Sequence, residues 1–382
     1  MKKKIFYWSP YLNPVGTVKS TLNSALSLKK YNNKYDVYMI NVCGEWNDYR
    51  NFFSENSINL INLNFYYFKF LPKRGFAASR LSYFLIFMLS FIPLIILLKR
   101  HKPEIIFLHL ITSLPLTILK IFKFNTKFIL RISGYPKLNF IRKMFWKLVA
   151  DKITHITCPT YDLKKNLEIL KIFDTKKIYF LPDAIARIKE FKREINFSLD
   201  HNIPLDKKII LSAGRLTNQK NHLYLVNEFF EFSKFNDQFI LIILGDGEKK
   251  NELLKFIKEK RIEDKVFLLG HKKNIYSYMR ESSAFVLSSL WEEVGFVIVE
   301  AALCNTPVIS SNCPNGPKEF LNNGKRGILF ESNKEKALVS SFKSFLNMED
   351  KKILQNKISL KKEAKKYTIF KHYVELNKIL KF

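Results

Sequence analysis

The sequence predicts an α/β fold with two doubly wound domains, each a parallel sheet covered by helices. At 382 residues the chain is long for a single core, so two domains are expected. Short continuous apolar runs alternate with helix-like segments, a pattern typical of buried parallel strands and their crossovers. A polar, charged stretch with little strand character separates two such series. We therefore predict a first domain over 1–182, a linker over 183–208, a second domain over 209–366 and an amphipathic C-terminal helix over 367–382.

The charge balance is extreme. The chain has 64 Lys and Arg residues against 34 Asp and Glu residues, a net charge of +30. Such an excess favours an anionic partner: a nucleic acid, a membrane surface or a phosphorylated substrate. A background composition rich in Lys, Asn, Ile and Phe accounts for part of it. Because the basic residues are spread along the chain without a zinc-finger or RNA-binding signature, we expect no nucleic-acid partner.

Cysteine usage and the amino terminus indicate an intracellular protein. The four cysteines are scattered without paired spacing, which predicts buried free thiols in a reducing cytosol and neither a disulfide framework nor a metal site: Cys43, Cys158, Cys304 and Cys313. The basic start, Met1–Lys4, is followed by a short apolar run without a cleavage site, so we do not predict a signal peptide. That run reads as the first strand.

The first half follows a strand, loop, helix, strand order. A turn-rich loop, Ser9 to Thr17, leads into a helix over Lys19–Lys30. Ligands of doubly wound sheets bind at the carboxyl ends of strands, so the loop around Gly16 is expected on the ligand side. The other elements predicted here are strands over 37–42, 105–109, 128–132, 155–158 and 178–181, and a helix over 163–170.

Leu81 to Leu98 is the one stretch that could enter a membrane, since it has 18 residues without a charge and basic residues on both sides. Three interpretations are open: a membrane span, a helix that packs on the sheet and presents an apolar face to lipid, and an ordinary buried helix. A span would separate the two halves of the chain across the bilayer. Pro93 interrupts the run, and a helix here fits the crossover before the strand at Ile105.

Phe140 to Leu148 is a basic amphipathic segment. Its apolar residues recur at helical spacing, and Arg142, Lys143 and Lys147 lie off that stripe. It could lie on anionic lipid headgroups, or it could be an ordinary surface helix with its apolar side on the core.

In the second half, a buried strand from Ile209 ends at Gly214 and is followed by two cations, Arg215 and Lys220. A helix begins near Asn221. Guanidinium and ammonium groups beside a helix start suit a diphosphate, because they neutralise its charge and stabilise a departing nucleotide. The spacing is not that of a P-loop. The alternative for this stretch alone is a solvated surface loop.

Two carboxylates, Glu292 and Glu300, lie eight residues apart with Gly295 between them. A helix that starts near Gly295 places Glu292 in the preceding loop and Glu300 about one turn inside. The backbone at Gly295, Phe296 and Val297 would then offer N–H groups to an anion. The alternative is two solvated acids. Neighbouring runs predict strands over 284–287 and 306–310, and others over 241–244 and 266–269 precede ligand-side loops; His271 reads as an ordinary loop histidine.

These residues resemble the retaining glycosyltransferases of family 4. The resemblance rests on Glu292, Glu300-Ala301, the run Thr306–Ser310, and Gly214-Arg215-Leu216 followed by Lys220; it is strong over 209–330. It implies the GT-B fold, two Rossmann-like domains facing a cleft, with the terminal helix packing back on the first domain. It also implies metal-independent, cofactor-free transfer with retention of configuration. The expected reaction moves a hexosyl or N-acetylhexosaminyl unit from a nucleotide sugar, with UDP as the expected nucleotide, to a lipopolysaccharide, capsule or lipid-linked glycan of a bacterium.

The resemblance also implies roles for individual residues. Arg215 and Lys220 would bind the donor phosphates, Glu300 the ribose and Glu292 the donor sugar. On the first domain the family's His-Gly is replaced by Ser133-Gly134, His109 is the candidate substitute, and only one glycine, Gly16, remains in the first loop. The protein is expected on the cytoplasmic side, attached peripherally to the anionic inner face of the membrane.

Two other functions remain open at this point. Nucleotide-sugar epimerases share the architecture and would release an altered sugar without an acceptor. A non-catalytic sugar-nucleotide or membrane-binding module could also keep the fold, although the presence of all four polar residues argues against loss of function.

Overall fold

The computed structural model describes residues 2–13, 16–73, 75–136, 138–199, 203–204 and 206–381. The chain forms two compact units: Met1–Ala184 with Ile369–Phe382, and Ile185–Thr368. Each unit holds one parallel sheet with helices, which confirms the predicted fold class. Parts of three predicted segments lie outside the described residues: Pro14 and Val15 of the first loop, 200–202 and 205 of the linker, and Phe382 of the last helix.

The first unit is a seven-stranded parallel sheet in the order β3-β2-β1-β4-β5-β6-β7. The chain winds outward in both directions from β1 and β4, so the switch point for ligands lies between their carboxyl ends. Strand β4 is fully buried, as its unbroken apolar run IIFL predicts. The elements are β1 Lys3–Trp8, α1 Gly16–Tyr31, β2 Tyr35–Asn41, α2 Arg50–Glu55, β3 Asn59–Asn62, α3 Phe76–His101, β4 Ile105–Leu108, α4 Ser113–Ile121, β5 Lys127–Arg131, α5 Phe140–Val149, β6 His155–Cys158, α6 Tyr161–Ile169 and β7 Ile178–Phe180.

The C-terminal helix, α15 (Ile369–Leu380), belongs to this first unit. It packs along α1, where the ring of Tyr31 lies 5.2 Å from that of Phe370 and 5.5 Å from that of Tyr373. His372 of α15 bonds Ser24 of α1 through Nε2 at 2.9 Å. The helix therefore completes the core of the first unit.

Helix α3 buries one narrow face and exposes another that is apolar. By length and composition it is the one helix in the described part of the chain that could cross a membrane, and 33% of its most apolar window is buried. It continues through Pro93. Ser82, Ile86, Ser90 and Leu94 face the core, whereas an exposed stripe recurs every fourth residue: Phe84, Met88, Ile92 and Ile96. The interpretation of an ordinary buried helix is therefore wrong.

Helix α5 also exposes its apolar stripe. Asn139 caps it by accepting a hydrogen bond from the backbone N–H of Arg142 at 2.8 Å. Trp146 and Val149 face the core, and the exposed apolar residues are Phe140, Ile141, Met144 and Leu148. The alternative of a surface helix with that stripe on the core is therefore wrong for these four residues. The fifth residue of the predicted stripe, Phe145, is partly buried and packs against the core, as do Trp146 and Val149 from outside the stripe.

The second unit is a six-stranded parallel sheet in the order β10-β9-β8-β11-β12-β13, and its switch point lies between β8 and β11. Strands β8 and β9 are nearly continuous apolar runs, which suits strands covered on both faces. The elements are α7 Ile188–Glu194, β8 Lys208–Ala213, α8 His222–Ser233, β9 Phe239–Leu244, α9 Lys250–Glu259, β10 Val266–Gly270, α10 Ile275–Glu281, β11 Ala284–Leu287, α11 Phe296–Leu303, β12 Val308–Ser311, α12 Gly316–Phe320, β13 Ile328–Phe330, α13 Ala337–Leu346 and α14 Asp350–Ala364.

The stretch predicted as a linker, 183–208, differs in the structure. Most of it belongs to the second unit, and it contains helix α7. The ring of Phe191 lies 5.1 Å from that of Tyr276, and Ser277 donates a hydrogen bond to the carbonyl of Glu194 at 2.7 Å. This packing is invisible in a sequence pattern dominated by charged residues, which is why the segment resembles a linker.

Candidate active site

The four charged candidates of the second unit lie at one edge of its sheet. Arg215 and Lys220 follow β8, and Glu292 follows the neighbouring strand β11. Glu300 lies in α11, the helix that follows the Glu292 loop. Because carboxyl ends of parallel strands meet at the same edge, the sequence-distant residues 215–220 and 292–300 are brought together at the switch point.

Three hydrogen bonds to backbone carbonyls join the two loops. Ser288 Oγ donates to the carbonyl of Lys220 at 2.8 Å, and the backbone N–H of Leu290 donates to the carbonyl of Gln219 at 2.8 Å. Gln219 Nε2 donates in turn to the carbonyl of Trp291 at 2.8 Å. The backbone positions of Lys220 and of the segment before Glu292 are therefore fixed relative to each other.

Lys220 and Glu292 form the central contact of the site. Lys220 Nζ lies 2.5 Å from Glu292 Oε1, which also accepts a hydrogen bond from Ser289 Oγ at 2.6 Å. Glu292 is only 7% exposed, so its charge is held away from water but is paired and hydrogen-bonded, as a buried charge requires. The lysine chain lies over Gly214, where an added Cβ would be 3.1 Å from Lys220 Cε. Lys220 is thus held in place, and an ammonium group has three donors, more than this contact uses.

Arg215 differs from Lys220. It is exposed, and among the described residues it forms no hydrogen bond or ion pair. A guanidinium in this state can turn its fork of donors toward phosphate oxygens. We call Arg215 and Lys220 the phosphate clamp.

The start of α11 is suited to an anion. Gly295 adopts a left-handed conformation with φ 76°, and no side chain caps the helix there. The first helical N–H groups, at Phe296 and Val297, have no partner within the helix, and the first turn has no acidic residue. Asn315 Nδ2 donates a hydrogen bond to the carbonyl of Glu292 at 3.2 Å, which holds the loop before the helix. The helix start therefore presents unsatisfied donors beside the clamp.

Glu300 lies on the buried side of the same helix, at 5% exposure. Burial, and next the charge of Glu300, raise the pKa of the Cys304 thiol to about 12. Cys313 is close to Glu292, and burial raises the pKa of its thiol to about 11. Both thiols are therefore protonated at neutral pH and are not nucleophiles. All four cysteines are buried and free, as predicted.

A glycine contact closes the floor of the site. A Cβ at Gly245, just after β9, would lie 1.9 Å from the carbonyl oxygen of Gly214. Any other residue at Gly245 would push the β8 loop, and with it the clamp, out of position. The N–H of Gly245 donates to the carbonyl of Gly270 at 2.8 Å, so both loops predicted on the ligand side lie at this edge.

The three candidates of the first unit also share an edge. Gly16 begins α1 after β1, His109 follows β4, and Ser133 follows β5; these three strands are neighbours. His109 Nδ1 lies 3.1 Å from Thr21 Oγ1, whose proton goes to the carbonyl of Thr17 at 2.8 Å. Nδ1 therefore carries the hydrogen and Nε2 carries the lone pair. Among the described residues no hydrogen bond joins Ser133 to this group.

A buried polar network lies below His109. Arg131 pairs with Asp183 at 2.7 Å, and Ser20 Oγ donates to the same carboxylate at 2.5 Å. Burial, followed by the charges of Arg131 and His372, lowers the pKa of His109 well below its usual value. The His109 ring is therefore neutral at physiological pH.

Sequence reasoning missed the residues that support the candidates. Ser288, Ser289, Gln219 and Asn315 hold Glu292 and Lys220, and the only available signal was the position of Ser288-Ser289 directly after a predicted strand. Within the described ranges, no cluster of three His, Cys, Asp or Glu side chains is arranged to hold a metal ion.

Known proteins share this fold and parts of this sequence. The uncharacterized glycosyltransferase MJ1059 of Methanocaldococcus jannaschii is 32% identical over 59% of this chain and 59% of its own length. The N-acetylgalactosamine-N,N'-diacetylbacillosaminyl-diphospho-undecaprenol 4-alpha-N-acetylgalactosaminyltransferase of Campylobacter jejuni is 30% identical over 64% of this chain and 67% of its own. The crystal structure of Anabaena Alr3699/HepE in complex with UDP superposes with a TM-score of 0.71 at 12% identity, covering 100% of both chains.

The two parallel sheets and the superposition on HepE define the fold as the two-domain GT-B fold, and both relatives named above are described as glycosyltransferases. The model of the family described as "Glycosyl transferases group 1" matches residues 194–367, which include the clamp and both glutamates. The chain belongs to this family.

Proposed function

We propose that this protein is a retaining, metal-independent glycosyltransferase that moves a sugar from a UDP-linked donor to a lipid-linked or polysaccharide glycan. The observation that carries the proposal is the Lys220–Glu292–Ser289 contact at the uncapped start of α11. The diphospho-undecaprenol acceptor in the name of the Campylobacter jejuni relative supports the acceptor class. The UDP bound by Anabaena HepE supports the nucleotide.

The donor diphosphate would sit on the N–H groups of Phe296 and Val297, with Lys220 and Arg215 on its oxygens. When the bond from the sugar C1 to the diphosphate oxygen breaks, negative charge develops on that oxygen. A held lysine, a mobile arginine and a helix start would stabilise this charge more in the transition state than in the ground state, which is how they would accelerate departure. In this proposal they act in place of a metal ion.

Glu292 would then position Lys220 and contact the sugar, without attacking it. Its Oε1 accepts from Lys220 Nζ and Ser289 Oγ, which leaves Oε2 to accept a hydrogen bond from a sugar hydroxyl. The new bond from C1 to the acceptor oxygen forms on the face from which the diphosphate leaves, and the acceptor proton passes to the departing diphosphate. Glu300 would accept hydrogen bonds from the ribose hydroxyls.

The acceptor is assigned to the first unit. The neutral ring of His109, with its lone pair on Nε2, suits a hydrogen bond from an acceptor hydroxyl. Gly16 begins α1 at this edge, and Ser133 offers a hydroxyl two residues after β5.

The test is incubation of the purified protein with a panel of UDP-sugars in EDTA, with and without a diphospho-undecaprenol-linked glycan. Acceptor-dependent release of UDP, with a product whose anomeric configuration matches the donor by NMR, is the expected result. An altered free sugar without acceptor would show an epimerase. Donor binding without turnover on any acceptor would show a binding module.

We propose further that the first unit attaches to the cytoplasmic face of an anionic membrane. The exposed apolar stripes of α3 and α5 lie on one face of the sheet, since α4 contacts both helices. Burial, and next the nearby charge of Arg80 of α3, lower the pKa of Arg142 of α5, so these two basic residues lie close together. Basic residues therefore gather at the border of an apolar surface, a combination that suits anionic lipid better than a neutral partner.

The vesicle test separates charge from apolarity. At low salt the protein should sediment with phosphatidylglycerol vesicles, and less at high salt. Changing Arg142, Lys143 and Lys147 to Gln should weaken binding about a hundredfold, at about 1 kcal/mol per basic residue. The matched control changes Lys255, Lys351 and Lys352 of the second unit to Gln and should bind normally. Equal, salt-resistant binding to phosphatidylcholine would assign attachment to α3 insertion, and no binding to either would exclude the membrane.

A further inference from the structure

The hydroxyl of Thr21, in α1, contacts three polar groups. Its Oγ1 lies 2.8 Å from the carbonyl oxygen of Thr17, 3.1 Å from His109 Nδ1 and 3.4 Å from Ser9 Oγ. Thr21 and Ser9 are fully buried, so water does not compete for these contacts. A hydroxyl has one hydrogen and two lone pairs, and a carbonyl oxygen can only accept. The hydrogen of Thr21 therefore goes to Thr17, and both Ser9 and His109 donate to the Thr21 oxygen.

The ring of His109 is held in one orientation. Its backbone N–H donates to the carbonyl of Trp8 at 2.9 Å, which fixes the residue beside β1. The centroid of its ring lies 5.7 Å from that of Tyr7 and 6.4 Å from that of Phe107, two buried strand residues. Turning the ring over would put a carbon in place of Nδ1 and lose the contact with Thr21. The packing and the hydrogen bond therefore favour the same ring position.

Nε2 is the nitrogen of His109 that a ligand can reach. In the described part of the chain it has no hydrogen-bond partner. It also keeps accessible surface, because the ring nitrogens there that are both enclosed and unpaired belong to Trp46, His155 and His222. With the hydrogen on Nδ1, Nε2 carries a lone pair and can accept a hydrogen bond but not donate one. This side of the ring therefore suits a hydroxyl of a ligand.

The charge state of His109 leaves the tautomer as the property that decides what Nε2 can do. Burial, and next the charge of Arg131, lower the pKa of His109, so the ring is neutral and has one hydrogen. In a neutral imidazole, the nitrogen that carries this hydrogen is set by the hydrogen bond that the ring makes. Within the described ranges, Thr21 Oγ1 is the one group hydrogen-bonded to the ring. The choice of tautomer therefore depends on Thr21.

We propose that Thr21 is a positioning residue: by accepting the Nδ1 hydrogen of His109, it directs the Nε2 lone pair to a hydroxyl of the acceptor glycan. This inference rests on the proposed function, in which His109 binds the acceptor. The group bound at Nε2 has to bring a hydrogen, as a hydroxyl does, whereas an ether or carboxylate oxygen finds no donor there. Thr21 is buried and acts through His109 without touching the substrate.

The first test observes the tautomer by NMR in the free protein labelled with 15N-histidine. The wild-type spectrum should show the hydrogen of His109 on Nδ1, and the resonance is assigned by its loss in His109→Gln. Thr21→Val keeps the shape of the side chain without the hydroxyl, and should move the hydrogen to Nε2, where water can accept it. Thr21→Ser keeps the hydroxyl and should keep the hydrogen on Nδ1. A wild-type ring with its hydrogen on Nε2, which needs no variant to observe, or an unchanged ring in Thr21→Val would overturn the proposal.

The second test measures the effect of the tautomer on the acceptor. Thr21→Val should raise the KM for the diphospho-undecaprenol-linked glycan about fivefold, the effect of losing one hydrogen bond, and should leave the affinity for UDP unchanged. Thr21→Ser should behave like the wild type. The matched control is Thr117→Val in α4, which removes a similar hydroxyl bond, from Thr117 Oγ1 to the carbonyl of Ser113 at 2.9 Å, and should also behave like the wild type.

Two outcomes of the second test would overturn the role in acceptor binding. One is a wild-type KM in a Thr21→Val protein whose tautomer has changed. The other is an equal rise of KM in Thr21→Ser, which would show that the shape of the side chain matters and the hydroxyl does not. The tautomer is observed without substrate, so failure of this inference is separate from failure of the proposed function, which would appear as no turnover by the wild type.

Discussion

The two sheets use their carboxyl edges in opposite ways. In the second unit the edge carries exposed or paired charge: Arg215 is free to turn, and Lys220 is held 2.5 Å from Glu292. In the described part of the first unit's edge the His109 ring is neutral, because burial lowers its pKa, and the charged pair Arg131–Asp183 is buried beneath it. A diphosphate needs cations at the surface, whereas a hydroxyl needs a neutral acceptor. The second unit's edge therefore suits a charged donor, and the first unit's edge suits an uncharged hydroxyl nucleophile.

The largest effect should come from breaking the charged edge. Arg215→Ala and Lys220→Ala should each lower kcat/KM by about 10²–10³, because each removes a contact that strengthens as the diphosphate leaves. Steady-state release of UDP measures this, and Lys250→Ala is the matched control on the same unit. Circular dichroism should show an unchanged fold. Wild-type turnover by both clamp variants would show that the cations of the second unit's edge do not stabilise the departing diphosphate.

Lowering the pH should destabilise the first unit, because His372 is buried there as a neutral ring. Burial lowers the pKa of His372, below His109, to about 4 in the folded chain, and the unfolded value is about 6.5. The unfolded state therefore binds the proton first, so stability is complete above about pH 6.5 and falls as the pH drops toward 4. At pH 5 the free energy of unfolding of the first unit is therefore lower by about 2 kcal/mol.

Peptide-resolved hydrogen exchange at pH 7 and pH 5, corrected for intrinsic rates, measures this loss. His372→Gln should reduce the loss in α1 and α15, and His271→Gln, at an exposed loop of the second unit, should not. His222 of the second unit has its own lowered pKa, so α8 should lose protection in both variants. An unchanged loss around α15 in His372→Gln would show that protonation of His372 is not what destabilises the first unit in acid.

The smallest effect should separate the two acids of the charged edge. Glu300→Gln should weaken UDP affinity about tenfold and leave kcat nearly unchanged, because a ribose contact is made in both ground and transition states. Glu292→Gln should lower kcat about tenfold, because Lys220 loses the partner that holds it. Calorimetry with UDP and steady-state kinetics provide the two readouts. Unchanged UDP affinity in Glu300→Gln would show that the roles are assigned wrongly.

The candidate residues of both edges could be named from the sequence, but the buried network beneath His109 could not. Arg215 and Lys220 are five residues apart, Glu292 and Glu300 eight, and each pair follows an apolar run that predicts a strand. Arg131 and Asp183 are 52 residues apart and join only when the strands assemble. Two short edge strands, β3 and β13, were also missed, because they are short and partly exposed and resemble loops.

Exposure was the other property that the pattern alone did not determine. The apolar stripe of α5 is compatible with a face that is buried on the core and with a face that is exposed. Only the position of Trp146 and Val149 against the core shows which side faces outward. The same holds for α3, whose 18-residue apolar run is compatible with a span, a lipid-facing helix and a buried helix.

We propose that the clamp and the start of α11 bind a nucleotide diphosphate without a metal ion. Calorimetric titration of the wild-type protein with UDP in EDTA tests it most directly, with Lys220→Ala and Lys250→Ala measured in parallel. One-to-one binding in EDTA is expected, unchanged in Lys250→Ala and at least tenfold weaker in Lys220→Ala. Binding that requires added Mg²⁺ or Mn²⁺, or equal affinity in Lys220→Ala, would contradict it.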